Sequence, residues 1–248
     1  MTYKQLGNGG AFDFDQCNSS FLIENNDKYL LFDCGHSVFA ELRKQDLDIN
    51  NTVDLSKLTS VYVSHMDDDH IGSLKRLIYY MYFAKGVKLE ILYPVDIGEA
   101  FTNYLSDIDS VTEDVTKVPK LLFNLIGISS DNSLVVNGLS ICLANTDHVK
   151  SCFGLIMVDG QEALYITGKT RASVEIRNTI DNLHNIYPHV VVFHDYSELD
   201  CPDNQVHACL SDTTKLYSDT TRSRYTKYNT GQLFDGQWKQ LILDKRAK

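Results

Sequence analysis

Short runs of apolar residues, each bounded by turn-forming residues, occupy the first sixty positions of the chain. The runs at residues 19–24 and 28–35 have the length of strands, and the polar turn 25–28 joins them. Apolar residues recur at helical spacing in residues 36–45. A run at 58–65 is rich in β-branched residues and ends in a histidine. The pattern predicts two strands, a helix and a buried strand.

The rest of the chain continues this succession. Residues 72–86 carry apolar side chains at helical spacing, and Gly86 is placed to end the helix. Further strands are predicted at 88–94, 121–127, 133–145, 152–160, 162–167 and 189–195, with a helix at 172–186. Two successions of strands and helices predict an α/β (α+β) fold, a four-layer αββα sandwich that forms a single domain over residues 1–248.

Composition narrows the class of protein. A hydrophobic fraction of 43% is ordinary for a globular chain, and no apolar run is long enough to span a membrane. Six cysteines without CxxC spacing, and an N-terminus unlike a signal peptide, favour reduced thiols in the cytoplasm. A net charge of −10 argues against binding long nucleic acid. Arg222 and Arg224 either form a local pocket for a small phosphorylated substrate or only add solubility.

Five of the eight histidines lie near the ends of predicted strands. Loops at strand ends are where catalytic residues concentrate, because a rigid sheet holds them. One such histidine alone is better explained as structural. Five together favour a shared metal or acid–base site, and they are His65, His70, His148, His194 and His207.

The segment HMDDDH supplies the strongest chemical signal. His65, Asp67, Asp69 and His70 form an HxDxDH pattern between a buried strand and a helix. Residues 65, 67 and 69 can turn to one side, with His70 at the helix start. Imidazole and carboxylate groups together suit zinc, manganese or iron, and two close metals can activate water and hold a leaving group. The alternative is an acidic surface loop or a helix cap.

These residues resemble the metallo-β-lactamase fold family, whose HxHxDH hallmark has the HxDxDH variant seen here, followed by Gly72. The resemblance extends over most of the chain. The family's opening hairpin is similar to the segment LGNGGAFDFDQCNSSFLIE. The strand that ends in Asp33 and Gly35 corresponds to LLFDCG. The strand that usually ends in Gly-Asp-Thr in the family is similar to ALYITGKT. His148 lies where the third histidine ligand is expected.

The segments VVVFHDYSEL and QVHA resemble the tRNase Z and cyclic-nucleotide phosphodiesterase branch of the family. That resemblance implies a proton-donating pair of Asp195 and His207, which would assist the leaving oxygen; local hydrogen bonding by His207 is the alternative. It also implies one or two Zn²⁺ or Mn²⁺ ions. His65, Asp67 and His148 would hold the first, Asp69 and His70 the second, with Asp69 also catalytic. Members of the fold are often homodimers.

Two positions depart from the family pattern. The residue expected to be a bridging aspartate is Lys169, and the last histidine ligand is replaced by Asn229. An ammonium group would be repelled by two metal ions. Lys169 therefore either donates to Asp67 and Asp69 in place of a metal, points away and leaves one metal, or binds a substrate phosphate. The candidate substrate-binding residues are Lys169, His194, Asn229, Arg222 and Arg224.

The sequence thus favours a metal-dependent phosphodiesterase that acts on a small nucleotide, for example a cyclic nucleotide. One alternative is a catalytically weak or inactive relative that has lost its metal and binds a nucleotide or a protein partner. Another is a hydrolase of lactones or thioesters, which would have no use for Asp195 and His207.

Overall fold

The computed structural model describes residues 1–13, 15–48, 50, 53–111, 122–196, 207–209 and 226–229. Within these ranges the contacts divide the chain into two compact units. The first unit comprises Met1–Gly7 and Cys17–Ser129, and the second comprises Asn8–Gln16 and the described residues from Ser130 onward. Each unit contains one six-stranded sheet. The predicted mixture of helices and strands is therefore confirmed, whereas the single domain over residues 1–248 stays a prediction.

The sheet of the first unit has its strands in sequence order. They are β1 (Thr2–Gly7), β2 (Ser20–Asn25), β3 (Lys28–Phe32), β4 (Leu58–Tyr62), β5 (Leu89–Pro94) and β6 (Phe123–Ile128). The first three strands are antiparallel, and β3 to β6 are parallel. Asn26 and Asp27 both have positive φ, 50° and 60°, in the hairpin between β2 and β3. Asn and Asp tolerate this conformation, which two-residue hairpins with a type I′ turn require.

The described part of the first unit contains the α-helices α1 (Val38–Leu47), α2 (Asp68–Ile71), α3 (Leu74–Tyr80) and α4 (Gly98–Leu105). Leu42 of α1 and Leu77 of α3 lie in one buried cluster with Leu31 and Val61 of the sheet. The predicted helix 72–86 is present, but it widens to π geometry at Met81–Lys85 before Gly86 ends it with a φ of 68°.

The sheet of the second unit is antiparallel at one side and parallel at the other. Its strands are β7 (Leu134–Val136), β8 (Leu139–Asn145), β9 (Phe153–Asp159), β10 (Glu162–Ile166), β11 (His189–Tyr196) and β12 (Thr226–Asn229). Helix α5 (Val174–Ile186) connects the parallel strands β10 and β11. Its apolar side chains Ile176 and Ile180 share a buried cluster with Tyr165 and Ile156.

The helices and the cysteines agree with two expectations from the sequence. No helix in the described ranges is long and apolar enough to cross a membrane. The five described cysteines are free thiols, and burial raises the pKa of the Cys34 thiol to about 12. A thiol with so high a pKa is inert at neutral pH.

Candidate metal centre

The HxDxDH segment begins where β4 ends, beside the end of the parallel strand β3. Phe32 pairs with Tyr62, and the backbone N–H of Asp33 donates to the Tyr62 carbonyl. Because the carboxyl ends of parallel strands lie at the same edge of a sheet, Asp33 and His65 are brought together. Asp33 adopts a positive φ of 60° there.

The Asp33 carboxylate is fully buried and accepts three hydrogen bonds. Oδ1 accepts from the Ser64 backbone N–H at 2.7 Å. Oδ2 lies 2.7 Å from the Ser64 hydroxyl and 2.7 Å from Nδ1 of His70. A buried carboxylate needs such partners, because its desolvation is otherwise very costly. Asp33 therefore anchors both ends of the HxDxDH segment.

The histidines and aspartates of the segment gather on one side. His65, Asp69 and His70 are buried and Asp67 is partly buried, whereas Asp68 is exposed. Nε2 of His65 lies 3.4 Å from Oδ2 of Asp67, and Nε2 of His70 lies 3.4 Å from Oδ2 of Asp69. The two imidazole centroids are 4.1 Å apart.

This arrangement fits a divalent metal. Asp33, His65 and His70 offer ligand atoms that all lie within 4.8 Å of one another. Two ligands of one tetrahedral metal, with bonds of about 2.0–2.1 Å, are separated by about 3.3 Å. The spacing between each Nε2 and the neighbouring carboxylate matches that separation. Since Asp33 already accepts three hydrogen bonds, His65, His70, Asp67 and Asp69 are better placed as ligands, with Asp33 supporting them.

The charges around His70 favour its protonated form in the metal-free protein. Burial is the largest single influence and lowers the pKa of His70, but the charges of Asp69 and Asp33 and their hydrogen bonds together outweigh it. The net effect raises the pKa of His70 to about 10. A metal ion competes with a proton for the same nitrogen.

The loop after β3 holds the segment in place through its backbone. The N–H of Cys34 donates to the His70 carbonyl at 2.7 Å, and the N–H of Ser73 donates to the Cys34 carbonyl at 3.1 Å. The Ser73 hydroxyl donates to the Gly35 carbonyl. These contacts hold the end of α2, and Ser73 beyond it, against residues 34 and 35.

A second cluster lies in the second unit, at the carboxyl ends of the parallel strands β10 and β11. Asp195 of β11 is fully buried, and its Oδ2 lies 2.9 Å from Nδ1 of His207. The same Oδ2 accepts from the Thr170 backbone N–H at 2.9 Å. Asp195 is further held by its own N–H, which donates to the Thr167 hydroxyl. Asp195 and His207, proposed from the sequence as an acid–base pair, are thus in contact, while their catalytic role stays a prediction.

Thr170 links this pair to the loop that carries His148. The Thr170 hydroxyl accepts from the Asp147 N–H at 2.9 Å, and the Arg171 N–H donates to the Asp147 carbonyl at 2.9 Å. The Arg171 guanidinium also forms an ion pair with the Asp147 carboxylate. Residues 147 and 171 are therefore joined through both backbone and side chains. Nδ1 of His148 lies 3.1 Å from the Lys150 backbone.

The remaining predicted site residues are placed as follows. Lys169 is partly exposed and directly follows Gly168, which has a φ of 67°. His194 is buried, and its Nδ1 donates to the Asp195 carbonyl at 2.6 Å. Asn229 ends β12, where its backbone pairs with Tyr196. Arg222 and Arg224 lie outside the described residues.

Asp33, Ser64 and Thr170 are among the residues of these networks that the sequence did not predict as site residues. An acidic residue directly after an apolar run was a usable signal for Asp33, and a serine directly before His65 was one for Ser64. Thr170 carried no comparable signal.

The fold is shared with solved metallo-β-lactamase fold proteins. The metallo-β-lactamase fold protein YhfI from Bacillus subtilis matches with a TM-score of 0.72 at 18% identity, over 94% of this chain and 88% of that one. Human tRNase Z, short form, matches with a TM-score of 0.68 at 17% identity, over 94% of this chain and 93% of that one. The metallo-β-lactamase fold expected from the HxDxDH segment is therefore confirmed.

A curated relative extends the comparison to sequence. The anti-Pycsar protein Apyc1 of Bacillus phage BSP38 is 32% identical over 99 residues, which are 39% of this chain and 36% of the relative. The match thus spans little more than a third of the relative's length. The family model described as "Anti-Pycsar protein Apyc1" matches residues 1–237. The chain belongs to the anti-Pycsar protein Apyc1 family.

Proposed function

We propose that this chain is a metal-dependent phosphodiesterase that hydrolyses a small nucleotide, with cyclic nucleotides as the leading substrate class. The observation that carries the proposal is the 2.9 Å contact between the buried Asp195 carboxylate and His207. A carboxylate-held histidine suits general acid catalysis on a phosphate ester. The family name indicates proteins that act against Pycsar, and relatives from Bacillus phages carry it.

The metal would be held by the histidines and carboxylates of the HxDxDH segment. His65 and Asp67 would bind one ion together with His148, and Asp69 and His70 would bind a second. A bound divalent ion, Zn²⁺ or Mn²⁺, supplies the positive charge that polarises a water and a phosphate oxygen. The ligand types suit either ion. Asp69, beside His70, would also orient the attacking water.

Asp195 and His207 would handle the proton of the leaving oxygen. With Nδ1 of His207 donating to Asp195, the opposite nitrogen, Nε2, is the one that can face a substrate. The Thr170 N–H and the Thr167 hydroxyl hold Asp195 and hence the imidazole plane. General acid catalysis of this kind contributes about 10²- to 10⁴-fold to a rate.

The negative net charge of the chain favours a small substrate over a long nucleic acid. A net charge of −10 disfavours long nucleic acid, while a few cationic or polar groups are enough for one phosphate. We assign substrate binding to Lys169, His194, Asn229, Arg222 and Arg224. We also propose that the protein acts in the cytoplasm, where a nucleotide substrate would be found. A homodimer is part of the proposal, by analogy with the fold.

The test compares His207→Ala with His189→Ala, which removes an exposed histidine at the start of β11. Both purified variants would be loaded with Zn²⁺ or Mn²⁺ and assayed on cyclic nucleotides, a lactone and a thioester. We expect His207→Ala to lose about a hundredfold or more of phosphodiesterase activity and His189→Ala to retain it. Hydrolysis of the lactone or thioester that survives His207→Ala would contradict the proposal.

The departures at Lys169 and Asn229 favour a second function, in which the chain binds a nucleotide without hydrolysing it. A tight cyclic-nucleotide complex measured by calorimetry, with no turnover in the presence of Zn²⁺ or Mn²⁺, would establish this function over hydrolysis.

A further inference from the structure

We infer that Ser64 connects Asp33 to His65, so that one buried carboxylate keeps a proton on Nδ1 of both histidines of the metal centre and thereby sets the tautomer of His65. The inference rests on the proposed function in taking His65 and His70 as metal ligands. Ser64 and Asp33 are then positioning residues, because neither needs to touch the metal or the substrate.

The donor in each hydrogen bond of Ser64 follows from the number of available hydrogens. The Asp33 carboxylate can only accept, and Ser64 has a single hydroxyl hydrogen. The Ser64 hydroxyl lies 2.7 Å from Oδ2 of Asp33, so its hydrogen is given to that oxygen. Oγ of Ser64 is also 2.9 Å from Nδ1 of His65. With its hydrogen already used, Oγ can only accept there, and Nδ1 of His65 must carry the proton.

The opposite tautomer is disfavoured by the same contacts. If Nδ1 of His65 lacked a proton, Ser64 could donate to it only by withdrawing its hydrogen from Asp33. Two oxygen lone pairs would then face each other at 2.7 Å inside a site where Asp33, Ser64 and His65 are all fully buried. A buried acceptor that loses its donor costs about 1–3 kcal/mol. The protein therefore selects the Nδ1–H form of His65.

His70 is held by Asp33 directly, without a serine between them. Its Nδ1 donates to Oδ2 of Asp33 at 2.7 Å, the oxygen that also accepts from Ser64. Both histidines thus use Nδ1 for the protein, and in both the Nε2 atom lies 3.4 Å from an aspartate oxygen of the HxDxDH segment. Asp33 and Ser64 therefore leave Nε2 as the nitrogen of each histidine that a metal would bind, and on His70 the metal would displace the second proton.

The test reads the tautomer of His65 in metal-free, ¹⁵N-labelled protein at pH 8, by long-range ¹H–¹⁵N correlation of the imidazole nitrogens. We expect the proton on Nδ1 in the wild type. Ser64→Ala should move it, in part or entirely, to Nε2, and Ser64→Thr, which keeps the hydroxyl, should restore the wild-type pattern. Ser60→Ala is the matched control, because Ser60 is a fully buried serine in β4, four residues before Ser64, whose hydroxyl lies 3.4 Å from Glu90.

Zn²⁺ affinity, measured by competition with a chromophoric chelator, gives the second readout. Loss of an outer partner of a ligating histidine typically weakens metal binding by about 10- to 100-fold. We expect this loss in Ser64→Ala and not in Ser60→Ala. A proton on Nε2 of His65 in the wild type, or a tautomer and an affinity that Ser64→Ala leaves unchanged, overturns the inference. If the wild type binds no Zn²⁺, the proposed function fails, while the imidazole spectra still decide the inference.

Discussion

Gly35 approaches Asp69 so closely that a Cβ atom on residue 35 would lie 1.9 Å from the Asp69 carbonyl oxygen. The obstacle is backbone, which cannot rotate away as a flexible side chain can. The same loop donates a hydrogen bond to the His70 carbonyl and accepts hydrogen bonds from Ser73. The position of the HxDxDH segment therefore depends on a residue without a side chain in the neighbouring loop.

Gly35→Ala should displace the HxDxDH segment. We expect a loss of stability of about 3 kcal/mol, as for overpacking in a site that cannot yield, together with weaker Zn²⁺ binding. Chemical denaturation and a chelator competition assay measure the two effects. Gly86→Ala is the control, because Gly86 has a φ of 68° and no atom within 4 Å of its added Cβ. It should cost about 1 kcal/mol through backbone strain and leave Zn²⁺ affinity unchanged.

The pKa of His70 predicts how the metal-free protein responds to pH. Because the folded state raises this pKa from 6.5 to about 10, the protonated imidazole stabilises the fold fully below pH 6.5. That stabilisation is lost as pH rises through 10. The melting temperature of chelator-treated protein should therefore fall between pH 6.5 and 10. His70→Gln removes the titrating group, and the difference between the two melting curves should shrink as pH rises. A difference that is constant with pH would show that His70 does not titrate in this window.

Thr170 is expected to support the loop that carries His148. In Thr170→Val the Asp147 N–H loses its acceptor, which should cost about 1–3 kcal/mol of unfolding free energy. If His148 is a ligand, Zn²⁺ affinity falls as well. Thr179→Val is the matched control, since the Thr179 hydroxyl is exposed and bonds only locally on α5. Equal effects of the two substitutions would count against a special role for Thr170.

Lys169→Asp tests the charge at the position of the expected bridging aspartate. Replacing an ammonium by a carboxylate should raise the metal content per chain, measured by elemental analysis after purification without chelator. Lys88→Asp makes the same change in charge at an exposed position before β5 and should leave the metal content as it is. If the wild type already carries about two metals and Lys169→Asp carries no more, Lys169 does not oppose metal binding.

Much of the fold could be predicted because its signals are local. The turn at Asn26 and Asp27, the helix that Gly86 ends, and α5 all follow from spacing and from residues that tolerate positive φ. The run 133–145, taken as one strand segment, is instead a hairpin that turns at Asn137 and Gly138, with φ of 54° and 84°. Both residues occupy the positions where a type I′ turn needs them.

The order of strands within each sheet, and β12, could not be predicted in the same way. Pairing of parallel strands depends on contacts between distant parts of the chain rather than on local pattern. Contacts between distant parts of the chain also could not be predicted in the metal centre. His65, Asp67, Asp69 and His70 form one short motif and were found together. The position of Asp33 after an apolar run was a local signal, but its hydrogen bonds to Ser64 and His70 depend on β3 and β4 lying side by side.

The division of the networks between two units has an evolutionary consequence. Asp33, Ser64, His65 and His70 belong to the first unit, while Thr170, Asp195 and His207 belong to the second. The two sets share no residue, so substitutions can accumulate in one and leave the hydrogen bonds of the other intact. Under the proposed function, a substitution at His207 alone would therefore turn a hydrolase into a nucleotide-binding protein and leave the hydrogen bonds around His65 and His70 intact.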